Sequence, residues 1–405
     1  MKPAYLYYSL FSLALLMSSC IDEYNADLPS TDQNRLVVEG HIRSDMTCTF
    51  SLSQTRGLSD ESWILGGPLA VFDARLSVVG EDGTVFPGTQ IPPGIGFYIT
   101  SGTYQVQVGT LRPDVRYWLR IETQGDVFTS DPQYPLDADP IDLLSYEQSR
   151  PDQEVDIMVT SAAPADNQVH YYRWDCDQYW EIYTPYKADY EYNPQTDSIY
   201  KTVEPTNHGW CKARLADVKM GKTSDFQQNR IEGMPLFSIK HTDNRLNTRY
   251  TARVYQRRIT PQEYEYETLR NKLTNEMGGL FTPKPADLPT NIHCEGGSRK
   301  AIGYVGVSGR VTSATLTLTH SEVKYERTRI PEQVSHGEMF PATCRQLYNM
   351  GYRLVAINND HPSFQGDGPF DAESVPNKKW ALRWCVDCTD SYWGASLIKP
   401  SDWPE

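Results

Sequence analysis

Leu111-Arg112-Pro113-Asp114-Val115-Arg116-Tyr117-Trp118-Leu119 is the stretch that decides the fold class. Pro113 and Asp114 mark a turn, and the alternation Tyr117, Leu119, Ile121 behind them marks a half-buried strand over Tyr117–Thr123. Two readings are open. One is an ordinary turn followed by a strand. The other is a corner whose tyrosine ring enters the core while its hydroxyl returns to the corner's backbone. Either belongs to a β-sandwich. Working outward, strands are expected at Arg35–Gly40, Thr47–Gln54, Ala74–Gly80 and Tyr104–Val108, and Asp82-Gly83 supplies a hairpin turn because Asp-Gly accepts positive φ.

The Leu-x-Pro-x-x-x-Tyr-x-Leu pattern of that stretch resembles fibronectin type III domains. Strands at such spacing point to an immunoglobulin-like sandwich over residues 35–131. Pro132, Pro135, Pro140 and Pro151 then crowd residues 131–151, and their missing N–H groups place a domain boundary there. Residues 140–405 read as a larger β-rich domain, with strands at Val155–Thr160, Val169–Asp175, Phe237–Ile239, Tyr250–Arg258, Ala301–Ser308 and Thr312–Leu318. A helix near 261–277 is announced by Thr260 as N-cap, Pro261 at the first helical position and Glu263 as capping-box partner. Tyr266, Leu269, Leu273 and Met277 recur at helical spacing and predict an apolar stripe packed on a sheet; Gly278 ends the run. A second, shorter helix is expected over 342–350. The fold class is mostly β: an N-terminal immunoglobulin/fibronectin-III-like β-sandwich, then a β-rich domain with one or two packed helices.

The chain opens with Lys2, an apolar run from Leu10 to Met17, and Met17-Ser18-Ser19-Cys20. The run is shorter than the about 20 residues a spanning helix needs, so it reads as a cleaved signal over residues 1–19. An apolar residue three before a cysteine, with small residues between, is the box at which lipoprotein signals are cut. Cys20 is therefore the expected lipidation site, with a plain secretory signal as the alternative. Residues 20–34, acidic and turn-rich, read as a tether.

Composition narrows the partners. The formal charge is −14 over 405 residues, and clustered Lys and Arg are missing, which argues against nucleic acid. Membrane attachment is expected through the N-terminal lipid alone. Six cysteines (Cys176, Cys211, Cys294, Cys344, Cys385 and Cys388) are candidate disulfide partners for an exported chain, with Cys176 and Cys211 bracketing the insertion between them. Cys48 sits on the inward face of its strand and is the odd one out. Cys385-x-x-Cys388 with His293-Cys294 or Cys344 has the donor set of a zinc site, and a redox pair is a further option; disulfides are preferred on compartment.

No Gly-x-Ser-x-Gly elbow, phosphate loop or His-Glu-x-x-His helix occurs. No catalytic residue, metal or cofactor is assigned; a carboxylate-pair hydrolase is left without named residues. The densest aromatic segment holds Tyr179, Trp180, Tyr183, Tyr186, Tyr190, Tyr192 and Tyr200. It reads either as a recognition surface for a protein or sugar, or as a hairpin whose rings cover their own domain. Asp22-Glu23 resembles the acidic signal that sends some Bacteroidota lipoproteins to the cell surface. Asp197-Ser198-Ile199 resembles that phylum's O-glycosylation acceptor, with Ser198 as the site.

Several segments together resemble the Bacteroidota lipoprotein family called domain of unknown function 4249. They are Arg35-Leu36-Val37-Val38-Glu39-Gly40; Arg253–Gln256; the Tyr264/Tyr266 helix; Gly279-Leu280-Phe281-Thr282-Pro283-Lys284-Pro285; Asn291-Ile292; and Gly303-Tyr304-Val305. The ending Cys385-x-x-Cys388, Gly394-Ala395, Lys399-Pro400-Ser401-Asp402-Trp403 follows the family pattern, with Ala395 where a second glycine is usual. Family members are often encoded beside TonB-dependent outer-membrane receptors. The resemblance therefore implies a non-catalytic outer-membrane lipoprotein, exposed at the cell surface or facing the periplasm, that partners such a receptor in nutrient capture or uptake. An independent glycan-binding or adhesive lipoprotein is the alternative.

Overall fold

The computed structural model describes residues 34–55, 69–92, 102–215, 219–276, 288–324, 326, 331–335, 342–357, 364 and 366–404. The 1–19 leader, Cys20, most of the tether, Met277, Gly278 and the 279–285 motif lie outside the described residues. The fold is mostly β, in several sheets with two α-helices.

The corner at Tyr117 forms. Its ring is buried, and its hydroxyl accepts the Arg112 N–H at 3.1 Å. Around it, Ile292–Glu295, Asp126–Ser130, Tyr117–Thr123 and Arg75–Gly80 pair in that order and reach the first half of Val85–Ile91. The second half of Val85–Ile91 pairs with Gly102–Gln107, followed by Thr47–Gln54, Leu36–Arg43 and Ala301–Ile302. One strand thus serves both layers. It passes between them at Gly88, where a Cβ would lie 2.7 Å from the Leu76 carbonyl oxygen. The two inner faces, including Val38, Phe50 and Val106 against Val78, Leu119 and Phe128, share one core that also holds Cys48.

The domain limits expected from sequence do not follow this packing. Ile292–Glu295 pairs with Asp126–Ser130, while Ala301–Ile302 and Gly306–Ser308 pair in parallel with Leu36–Arg43. Ile292, Val305 and Val307 enter the first core. The first sandwich leaves two open edges, and the chain returns to cover them, which removes a liability to mispairing.

A second sandwich places Met234–Ile239, Val155–Ser161 and Ile141–Glu147 over a longer sheet of His208–Arg214, Tyr171–Tyr183, Arg249–Ile259 and Thr312–Thr319. Ile141–Glu147 lies inside the proline-rich boundary and is an edge strand, the place in a sheet that tolerates flanking prolines. Trp174 donates its indole N–H to the fully buried Gln256 at 2.8 Å, and Gln256 donates in turn to the Asp139 carbonyl.

A third, smaller core was not foreseen. The hairpin Tyr190–Asn193 and Ser198–Lys201 packs with the Cys344–Asn349 helix and the sheet of Val334–Ser335, Lys379–Leu382 and Tyr352–Ala356 around Trp380. The expected β-rich C-terminal domain is therefore two packed units built partly from the same insertion.

The helix Pro261–Glu276 starts as its cap predicts, with Thr260 Oγ1 accepting the Glu263 N–H at 3.1 Å. Its inward face differs from the apolar stripe. Glu263, Tyr266 and Glu267 are buried, whereas Leu269 and Leu273 are only half-buried. The glutamates face inward because arginines of the sheet meet them: Arg173 reaches Glu267 at 3.1 Å, and Arg270, three residues on, reaches the same carboxylate at 2.7 Å.

Candidate functional site

The hairpin Tyr190–Asn193/Ser198–Lys201 projects from the second sandwich and is held by the third core. Glu191 stands directly opposite Tyr200, and the Tyr200 hydroxyl donates to Glu191 at 3.1 Å. Tyr192, one residue on and pointing to the other face, donates to Asp197 at 2.6 Å. Its ring meets Tyr348 edge-on at 5.9 Å. Arg353 lies over the Tyr348 ring at 4.0 Å and is fixed by donating to the Tyr348 and Tyr352 carbonyls.

Between the hairpin and this Arg-Tyr ledge is a cleft of about 410 Å³, completed by Asn193, Gln195, Thr206 and Asp387. Burial pushes the Tyr192 hydroxyl up to about 12, with the Asp197 bond adding to it. Burial and Glu191 likewise raise Tyr200. Asp387 is lowered despite burial, which raises it, because Thr389 and Arg383 hydrogen-bond to the carboxylate. At neutral pH the cleft therefore presents the intact Tyr192 and Tyr200 phenols and the Asp387 carboxylate, beside the Arg353 side chain. Aromatic faces flanked by fixed donors and acceptors suit a small polar ligand with apolar C–H faces. Among the described residues, burial raises the thiol pKa of Cys48, Cys176, Cys211, Cys344, Cys385 and Cys388, so these sulfurs are protonated and weak nucleophiles.

The family model described as Domain of unknown function (DUF4249) matches residues 21–314. The chain belongs to the DUF4249 family. Glu191, Tyr192 and Tyr200 of the cleft lie within the matched part; Tyr348, Arg353 and Asp387 lie beyond it. No curated protein matches this DUF4249 chain. A solved structure, trypsin-activated alpha-2-macroglobulin from Escherichia coli, is similar at 12% identity over 57% of this chain and 15% of that one, with a TM-score of 0.19. So low a score carries no argument.

The aromatic segment of this DUF4249 chain is not one recognition surface. Tyr179, Tyr190 and Tyr192 are buried. Tyr179 donates to Asp402 at 2.8 Å and packs edge-on against Trp403. Trp180 is half-buried beside Ile182 and Cys211, and Tyr186 donates to the Pro331 carbonyl. Tyr183 is exposed but stacks on His208 at 4.1 Å. The rings mostly cover their own domain, because the long strand alternates inward and outward. Of this set only Tyr192 and Tyr200 line the cleft.

The cysteine expectations are corrected as well. All seven described cysteines are free. Cys176 and Cys211 sit in different cores and cannot bracket the insertion: Cys211 is paired with Trp180, four residues along the strand from Cys176. Cys344 lies in the third core, Cys294 against the first, and Cys385 in a further cluster, whereas Cys388 shares a small core with Cys211, both thiols being free. The zinc alternative fails on the same ground, and no group of three or more metal-type ligands exists among the described residues. Ser198 sits half-buried in a strand paired on both sides, with its hydroxyl 2.7 Å from that of Thr196. No helix among the described residues is long and apolar enough to cross a membrane.

Proposed function

We propose that this DUF4249 chain is a non-catalytic outer-membrane lipoprotein that partners a TonB-dependent transporter, holding a small polar ligand in the cleft beside Tyr348 and Arg353. The cleft is the observation that carries the reading: a half-open space whose walls are aromatic and whose rim is hydrogen-bonding. The lipoprotein box at Cys20 and the family's gene neighbourhood support the membrane and receptor parts. Cell-surface exposure is favoured by Asp22-Glu23, with a periplasm-facing orientation as the alternative. Affinity capture from detergent-solubilised outer membrane is expected to enrich a barrel receptor beside the tagged protein. Recovery of the protein alone would count against the partnership.

The second reading is an independent glycan-binding or adhesive lipoprotein. The aromatic walls Tyr192, Tyr200 and Tyr348 beside the Glu191 and Asp387 side chains favour it, since sugars use apolar ring contacts and hydroxyl acceptors together. On a glycan array, binding is expected to fall at least tenfold in Tyr348→Ala and to survive in Trp180→Ala, whose ring packs away from the cleft. An empty array would remove this reading.

A further inference from the structure

Beneath the Pro261–Glu276 helix, at the seam between the two sandwiches, lies a separate cavity of about 440 Å³ lined mostly by charged side chains. Arg43 comes from the first sandwich, and Arg173 and Arg257 come from the central strands of the second. Asp175 sits among the arginines without bonding them: Arg257 Nε is 3.6 Å away, Arg173 Nε 3.7 Å and Arg214 Nη2 3.5 Å. These separations exceed a direct hydrogen bond and ask what stands between. Glu263 is 3.7 Å from Arg257 Nη1 and only 3.3 Å from His41.

Arg257 is the decisive side chain. It is 3% exposed, and neither its Nε nor its Nη1 has a hydrogen-bond partner. The Nε atoms of Arg43 and Arg173 share that condition. A buried guanidinium with unused donors is costly, and its planar fork matches the paired oxygens of a carboxylate or phosphate. The lining holds five arginines against four carboxylates, so a positive charge is left over.

We propose that this cavity is an anion site, in which one small oxyanion, a carboxylate or phosphate group, bridges Arg257 to Arg43 and Arg173. The bridge spans strands of both sandwiches, so occupancy also fastens the seam. This site is distinct from the Tyr348–Arg353 cleft and stands whether or not that reading survives.

The test titrates the purified protein by calorimetry with inorganic phosphate and, separately, with succinate, at fixed ionic strength in chloride. Saturable binding of either is expected, weakened at least tenfold in Arg257→Lys, which keeps the charge but loses the fork. Binding of phosphate alone names the ligand class as phosphate, and binding of succinate alone names it as carboxylate. Should Arg257→Lys not fold by circular dichroism, Arg43→Gln carries the same expectation. Absence of saturable binding by both anions overturns the proposal, as does affinity unchanged within twofold in every folded variant.

Discussion

Trp380→Ala is expected to destabilise the third core by about 3–5 kcal/mol, the range for deleting a large ring from a packed interior. Trp380 is wholly buried at the centre of that core, beneath the edge of Tyr192 at 5.8 Å and paired in the sheet with Val334 and Leu354. Its indole N–H has no hydrogen-bond partner, so the side chain contributes by volume rather than polarity. Trp380→Phe removes that stranded donor along with some volume and is expected to cost less, within about 1.5 kcal/mol. Scanning calorimetry would compare the two. Because Tyr192 also walls the cleft, the alanine variant should lose cleft binding at temperatures where the sandwiches stay folded. An alanine variant no less stable than the phenylalanine variant would refute this account of the core.

Acid is expected to weaken the seam between the sandwiches. His41 is held down at about 4, chiefly by burial and then by the charge of Arg257, with Glu263 pulling the other way. Its ring nitrogens face Ser308 Oγ at 2.7 Å and Glu263 at 3.3 Å. The unfolded chain binds a proton near pH 6.5, well before the folded chain does. The contribution is therefore complete above about pH 6.5 and is lost as pH falls towards 4, amounting to about 3 kcal/mol at the bottom of that window. Glu263, also lowered, stays ionised through most of the window. Denaturation midpoints in chloride buffer at pH 7 and pH 4.5, for the wild type and His41→Gln, isolate the effect from that of the other carboxylates. The variant should lose clearly less on acidification; an equal loss would show that His41 stays solvated in the fold.

The first sandwich was readable because its strands alternate cleanly and its corner carries a bonded tyrosine, so local pattern and final packing agree. Val85–Ile91 was missed because Pro87 and Gly88 look like breakers, yet they are what a strand crossing between layers requires. The helix was legible from Thr260 and Glu263, but its inward face was not. Leucines at helical spacing predict burial by hydrophobicity, whereas here arginines below select the glutamates. The domain limits failed for a different reason: Ile292–Glu295 and Gly306–Ser308 find their partners across more than a hundred residues, and no local signal reports an open edge. Of the cleft, Tyr192 and Tyr200 lay in the segment singled out for its aromatics. Tyr348, Arg353 and Asp387 come from later segments, and only the third core, itself invisible to periodicity, brings them together.

Leu36–Arg43 has ladders on both sides, antiparallel to Thr47–Gln54 and parallel to Ala301–Ile302 and Gly306–Ser308. A pull on the chain just ahead of Leu36 runs along those ladders, so their hydrogen bonds share the load in shear instead of unzipping one after another. Tension arriving from a lipid held at Cys20, as proposed, would pass straight into segments about 265 residues further along the chain. The seam, with its helix and arginines, lies in the path of that force.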